Sequence, residues 1–233
     1  MTPSLSWHRP VTITVATTVL VALLSRLPES YSATAVGFGF LAVTYFLVLR
    51  KDDSHEIARY GLSFGGLFEP KPLSLTRIAR DTGTALLWAL GMGLLFLPLF
   101  WLGFLWWWRI KVPFHAPRLG SLGSDFSGQL LVIALPEEAF YRGYLQSALD
   151  EVYKPRWRVL GAELGPGLLL TSALFALGHL YTEFNSARLA VFFPSLAFGY
   201  LRARTRGVGS GVVFHALCNL FASYLGQSYG FPR

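Results

Sequence analysis

Two adjacent carboxylates and an arginine stand inside an apolar run of the chain, where charged side chains are costly. Glu137 and Glu138 follow Pro136 directly, and Arg142 comes four residues after Glu138. Residues four apart share a helical face, so Glu138 and Arg142 can form an ion pair, whereas Glu137 points about 100° away from them. A carboxylate without a neighbouring cation in a low-dielectric site is suited to take a proton from water near neutral pH. Glu137 is therefore the candidate general base.

Histidines occur in two further apolar runs. His179 closes the stretch that begins at Phe175, and His215 precedes Asn219 by one helical turn, so His215 and Asn219 share a face. Hydrolysis of a peptide bond needs a base that activates water and donors that hold the developing oxyanion. Glu137 can supply the base, and His215 with Asn219 can supply the donors. His179 could orient the water or protonate the leaving amine.

Two other interpretations of these residues stay open. The two glutamates could simply lock helices together through Arg142. Alternatively, Glu137, His179 and His215 could hold a zinc ion, because two histidines, one carboxylate and a water form a known catalytic set. The absence of an H-E-x-x-H pair weakens the zinc interpretation.

Other nucleophiles are poor candidates. Cys218 is the single cysteine, so it can form no intrachain disulfide, and its place three residues after His215 on an apolar helix is typical of packing. Ser195 lacks the G-x-S-x-G setting and a base at a related position, which argues against a rhomboid-like serine protease.

The elements that position these residues are predicted to be membrane-spanning helices. Hydrophobic residues make up 53% of the 233 and charged residues only 14%, where soluble domains carry about 25% charged residues. We predict an all-α, polytopic transmembrane bundle with a polar intramembrane cavity, a single membrane domain over residues 1–233. The expected spans, about seven, are Val11–Leu27, Ala35–Leu49, Thr84–Trp108, Gln129–Leu149, Gly167–Leu180, Leu189–Arg202 and Gly211–Leu225.

The net charge of +7 is spread over short loops and not over one basic face, which argues against a nucleic acid partner. Assigned alternately to the two sides, these loops place roughly twice as many Lys and Arg residues on the side of the N-terminus. By the positive-inside rule, the N-terminus is expected in the cytoplasm. Two interpretations of the longest loop, Arg50–Asp81, stay open: a loop with a short segment at the membrane surface, with Leu62, Phe64, Leu67 and Phe68 as its apolar residues, or a positively charged cytoplasmic loop.

Three motifs, in this order and on separate spans, carry a resemblance to a known family: Glu137-Glu138-x-x-x-Arg142, Phe175-x-x-x-His179 and His215-x-x-x-Asn219. Together they resemble the CAAX protease and bacteriocin-processing family of intramembrane proteases. The resemblance covers close to half of the chain, and the catalytic core is expected at roughly residues 129–227. The string from Pro136 to Gln146 is similar to the myxosortase-type members, which are proposed to cut C-terminal anchors from exported proteins.

The resemblance implies a glutamic-type intramembrane endopeptidase in which Glu137 activates water and His215 with Asn219 forms the oxyanion site. The expected partners are the lipid bilayer and a membrane-associated protein or peptide. The expected location is the bacterial inner membrane. No cofactor is expected unless the enzyme uses zinc. The rival functions are a non-catalytic scaffold or immunity protein that binds a peptide and, less favoured because the chain has no internal repeat, a transporter with a proton relay.

Overall fold

The computed structural model describes residues 6–117 and 122–231, and most of these residues are helical. The first half contains a helical hairpin, a surface segment and one very long helix. The helices are α1 (His8–Leu24), α2 (Glu29–Leu47), α3 (Ser54–Arg59) and α4 (Leu75–Trp107). Single 3-10 turns occur at Leu49–Lys51 and Phe64–Gly66.

The helix that carries the acidic motif, α5, begins at Leu122 and ends at Tyr153, and it is not a regular α-helix. Its α-helical turns are Leu122–Gly128, Leu135–Glu138 and Ser147–Tyr153, and its π-helical turns are Gln129–Ala134 and Ala139–Gln146. Pro136 has no N–H, so the carbonyl of Val132 loses its usual α-helical donor. A Cβ atom placed on Gly37 of α2 would lie 2.5 Å from that carbonyl oxygen, so only a glycine allows α2 to pack this closely.

The second half begins with a short hairpin of strands β1 (Trp157–Val159) and β2 (Ala162–Leu164), which pair antiparallel. The remaining helices are α6 (Pro166–Thr182), α7 (Phe192–Thr205) and α8 (Gly209–Ser228), with a 3-10 helix at Ser186–Val191 before α7. The mostly helical class is confirmed, and this hairpin is a small addition that the prediction did not contain. Its three-residue strands are too short to leave an alternating pattern in the sequence.

The helices pack around α5 and α8. α8 lies against α4 and α7, α6 lies against α7 and α1, and α2 covers the acidic motif of α5. α5 and α7 run parallel and are joined by polar contacts in matching register. Arg142 bonds to Ser195, the Gln146 amide donates to the carbonyl of Gly199 at 3.1 Å, and Arg202 donates to the Ser147 hydroxyl at 3.0 Å.

Large apolar side chains cover the outer surface of the bundle. On α4, Leu87 and Leu94 are 72% and 82% exposed, as expected for a surface that faces lipid. Trp101, Trp106 and Trp107 cluster near the end of this helix, as interfacial aromatics do. With the apolar helices, these features identify an integral membrane protein.

Each of the seven predicted spans coincides with a helix, but only two described helices are long and apolar enough to cross a membrane by length and composition alone. They are Glu29–Lys51 and Leu75–Trp107. α1, α6 and α7 have 17, 17 and 14 residues, shorter than the roughly 20 needed to cross hydrocarbon. The count of seven crossings therefore stays a prediction.

The loop after α2 is anchored to the bundle more firmly than its sequence indicates. Leu62, one of the apolar residues considered for the membrane surface, is buried against Gly143 of α5, whereas Leu67 and Phe68 are exposed. Glu69 accepts hydrogen bonds from Arg77 and from the Ser63 hydroxyl. These bonds, chiefly those from Arg77, hold the pKa of Glu69 below its usual range.

Candidate active site

Arg142 is the largest fully buried side chain of the described residues, and Glu138 neutralises it. The predicted ion pair is present, with Arg142 Nη1 2.9 Å from Glu138 Oε1 and both side chains fully buried. Arg142 Nη2 donates to the Ser195 hydroxyl at 2.6 Å and lies 3.3 Å from the carbonyl of the same residue. The guanidinium carbon lies 4.4 Å from the ring centre of Phe175 and 5.0 Å from that of Phe198. Carboxylate, hydroxyl and ring faces together compensate the buried cation.

Glu138 also holds His215. Its Oε1 atom lies 2.9 Å from Nδ1 of His215, across 77 residues of sequence. Because this oxygen also accepts a bond from Arg142, Nδ1 of His215 is assigned as the donor to it. The imidazole ring stacks on Phe198 at 4.6 Å between ring centres and 14° between planes. A Cβ atom on Gly211 would lie 3.0 Å from the other oxygen of Glu138, so a glycine leaves room for the carboxylate.

Glu137 has a different environment from its neighbour. Its Oε2 atom lies 3.9 Å from Nε2 of His215, and no hydrogen-bond partner reaches this oxygen within the part of the chain that the structure describes. The side chain is 13% exposed and lines a cavity of about 190 Å³, which α1, α2 and α5 enclose with Ser25, Ser32 and Val132 among the lining residues. Glu137 is thus the acidic residue of the pair that a water or substrate can reach.

His179 lies at the edge of this cluster. Its Nδ1 atom donates to the carbonyl of Phe175 at 3.0 Å, the bond expected of a structural histidine, and this leaves Nε2 without a bond to the backbone. The ring of Phe175 lies between the two histidines, with its centre 4.4 Å from that of His179 and 6.0 Å from that of His215. The structure therefore brings Glu137, Glu138, Arg142, His179 and His215 together.

Asn219 has a partner that the sequence did not indicate. Its side-chain amide nitrogen donates to Oε1 of Gln129 at 2.9 Å, so a residue at the start of the predicted fourth span orients it. The amide has a second N–H and a carbonyl that this bond leaves unused. A glutamine at the end of an apolar run is typical of a span boundary, and no local spacing links it to residue 219.

Ser195 is the second residue that sequence reasoning missed. It is fully buried and bonded to Arg142, so it supports the buried cation and is not accessible as a nucleophile. The partner of Ser195 is Arg142, a cation on another helix, and no local spacing in the sequence links the two residues. Cys218, also dismissed as a nucleophile, packs in the cluster around Phe198 and Phe214.

The zinc alternative finds no ready-made ligand cluster. Among residues 6–117 and 122–231, no group of three or more His, Cys, Asp and Glu side chains is arranged to hold a metal ion. Nδ1 of His215 bonds to Glu138 and Nδ1 of His179 bonds to a carbonyl, so Nε2 is the nitrogen of each ring that a metal could bind. The zinc alternative stays a prediction.

The described helices bring a carboxylate, two histidines and a buried ion pair together inside the bundle. Residues 124–221 match the family model described as Type II CAAX prenyl endopeptidase Rce1-like. The match spans all three motifs and confirms the resemblance to the CAAX protease and bacteriocin-processing family, which is a family of proteases. Neither the comparison with curated proteins nor that with solved structures found a match.

Proposed function

We propose that the protein is an intramembrane endopeptidase of the glutamic type. It hydrolyses a peptide bond in a membrane-associated or C-terminally anchored protein. The observation that supports this proposal is that the two adjacent glutamates have different surroundings and different partners. Glu138 is fully buried and binds both Arg142 and His215 through Oε1, whereas the Glu137 side chain is 13% exposed, lines a cavity and lies 3.9 Å from His215 Nε2 without an ion pair to Arg142.

In the proposed reaction Glu137 takes a proton from water, and the resulting hydroxide adds to the carbonyl carbon of the scissile bond. The carbonyl oxygen becomes an oxyanion that accepts bonds from Nε2–H of His215 and from the free N–H of Asn219. For Nε2 to donate while Nδ1 bonds to Glu138, both ring nitrogens of His215 must carry a proton in this step. The C–N bond then breaks, and the leaving amine takes the proton that Glu137 or His179 supplies.

The same proposal includes the location and the substrate class. We place the protein in the cytoplasmic membrane of a bacterium, with its N-terminus inside, on the charge asymmetry of its loops. Processing of a C-terminal anchor, the role proposed for myxosortase-type relatives, rests on the string from Pro136 to Gln146. The cavity beside Glu137 is lined mainly by apolar groups, which fits a segment that lies in or next to lipid.

The test is cleavage of membrane-anchored peptides. Purified protein and its Glu137→Gln form are incubated with a library of such peptides, and mass spectrometry identifies the products. We expect the wild type to cut and Glu137→Gln to lose about 10³-fold or more, as a lost general base does. Glu163→Gln, an exposed carboxylate on the β-hairpin, is the matched control and should cut normally.

Other outcomes would favour the rival functions. If neither form cuts while both remain folded, the protease proposal fails, and retained peptide binding would indicate the scaffold or immunity function. If a strong chelator abolishes cleavage and zinc restores it, the metal-dependent alternative is correct.

A further inference from the structure

One guanidinium at the surface of the bundle has no acidic partner. Its charged carbon, on Arg204 in the last turn of α7, lies 4.6 Å from the ring centre of Trp88 on α4. None of the ion pairs within the described residues includes Arg204, and its Nε atom is buried without a hydrogen-bond partner. Arg202, two residues before it on α7, instead donates to the carbonyl of Arg59 and to the Ser147 hydroxyl. Arg204 is therefore a cation available to a ligand.

The position of Trp88 sets the depth of this cation. Trp88 lies four residues, about 6 Å, inside the apolar run that begins at Thr84. Tryptophan is enriched at this level of a membrane, where hydrocarbon meets headgroups. A guanidinium on the face of this ring is thus expected near the level of the lipid headgroups, and its terminal Nη groups, which make no hydrogen bond among the described residues, are the ones that a phosphate could reach.

The β-hairpin completes the surroundings of Arg204. A Cβ atom on Gly161 in its turn would lie 3.2 Å from Arg204 Nε, so the turn packs directly beside the guanidinium. The Tyr200 hydroxyl donates to the carbonyl of Leu160 at 3.3 Å and holds the turn against α7. Leu160 is 83% exposed and Trp157 on the adjoining strand is 47% exposed, an apolar tip that is costly in water and suited to acyl chains.

We propose that Arg204, Trp88 and the β-hairpin turn form a binding site for an anionic phospholipid. The lipid phosphate bonds to Arg204, and its acyl chains cover the exposed tip at Leu160 and the lipid-facing side of α4 at Leu87, which is 72% exposed. Charge complementarity favours a lipid over an apolar protein surface, because basic pockets between transmembrane helices bind acidic headgroups. The site lies on the opposite side of α7 from the buried Arg142, and the proposal does not depend on proteolysis.

The experiment measures lipid retention by the full chain. Protein in detergent is mixed with equal amounts of phosphatidylglycerol and phosphatidylcholine that carry the same acyl chains, and native mass spectrometry counts the adducts. The wild type is expected to prefer phosphatidylglycerol. Arg204→Gln should reduce that preference about fivefold, the factor that corresponds to ~1 kcal/mol for one cation near an acidic surface. Arg206→Gln, an exposed cation outside the site, should leave it unchanged.

A second pair of variants avoids any effect on folding. Leu160→Glu places a negative charge at an exposed position and should lower retention of phosphatidylglycerol, whereas Leu160→Gln should not. The proposal is overturned if the wild type shows no preference between the two lipids, if Arg206→Gln reduces the preference as much as Arg204→Gln, or if Leu160→Glu and Leu160→Gln behave alike. Equal displacement by free inorganic phosphate would indicate a soluble anion in place of a lipid and would also overturn it.

Discussion

Replacing each of the two adjacent glutamates by glutamine should show that Glu137 is needed for catalysis alone, whereas Glu138 is also needed for the stability of the fold. Glu138→Gln leaves Arg142 fully buried without a counter-charge and weakens the bond to His215. Breaking a buried pair by removing one partner costs ~3–5 kcal/mol, a large share of the 5–15 kcal/mol that is usual for a whole protein. Glu137→Gln removes no hydrogen bond at the buried oxygen, so it should cost less than about 1 kcal/mol, the net value of one ordinary hydrogen bond.

The assay is thermal unfolding in one detergent at one scan rate, with cleavage measured on the same samples. At about 2–4 °C per kcal/mol for a chain of this size, Glu138→Gln should lower the midpoint by roughly 6–20 °C, and Glu137→Gln should leave it nearly unchanged. Both variants should fail to cut. The double variant Glu138→Leu/Arg142→Met removes both charges and should regain much of the stability without activity.

Equal loss of stability in the two single variants would refute this reasoning, because it would mean that Glu137 also neutralises Arg142. Failure of the double variant to recover would show that the carboxylate is needed for His215 or for packing around it, and not for the cation alone.

Three further predictions follow from single contacts. Gln129→Leu removes the acceptor that orients Asn219, so kcat should fall about tenfold with little change in KM, while Gln129→Glu, which keeps an acceptor, should retain most activity. Ser195→Ala leaves one N–H of the buried Arg142 unsatisfied and should lower the free energy of unfolding by ~1–3 kcal/mol, measured by chemical denaturation; no change would mean that water replaces the hydroxyl. The pKa of Glu69 is lower in the folded protein than in the unfolded chain. Its carboxylate therefore adds to the free energy of unfolding above the unfolded pKa of about 4.3, and this contribution is lost as pH falls through the folded pKa. Melting midpoints measured between pH 6 and 3 should fall more steeply for the wild type than for Glu69→Gln.

Local spacing predicted the contacts within one helix and missed those between helices. The Glu138–Arg142 pair could be read from the sequence because residues four apart meet on one helical face even when π turns lie nearby. The bond from His215 to Glu138 could not, because both residues fit several partners until the fold brings two helices together. The roles of Glu137, His215 and Asn219 in catalysis stay predictions.

The departures from the predicted fold have physical causes of the same kind. The π turns of α5 follow from tertiary packing around Pro136, and hydropathy carries no signal for them. Gln129 was taken for part of a span boundary because a polar residue at the end of an apolar run usually is one. The β-hairpin was absent from the prediction because Trp157–Val159 and Ala162–Leu164 are too short to show alternation.

The matched polar contacts between α5 and α7 determine which part of the molecule can move. Two hydrogen bonds prevent the helices from sliding along each other: Arg142 bonds to Ser195, and Gln146 bonds to the carbonyl of Gly199. A shift by one residue would break both bonds at once. Widening of the space beside Glu137 must then come from its other wall, the α1–α2 hairpin. A cross-link that ties this hairpin to α5 should stop a peptide from reaching the carboxylate while leaving the ion pair and the histidines undisturbed.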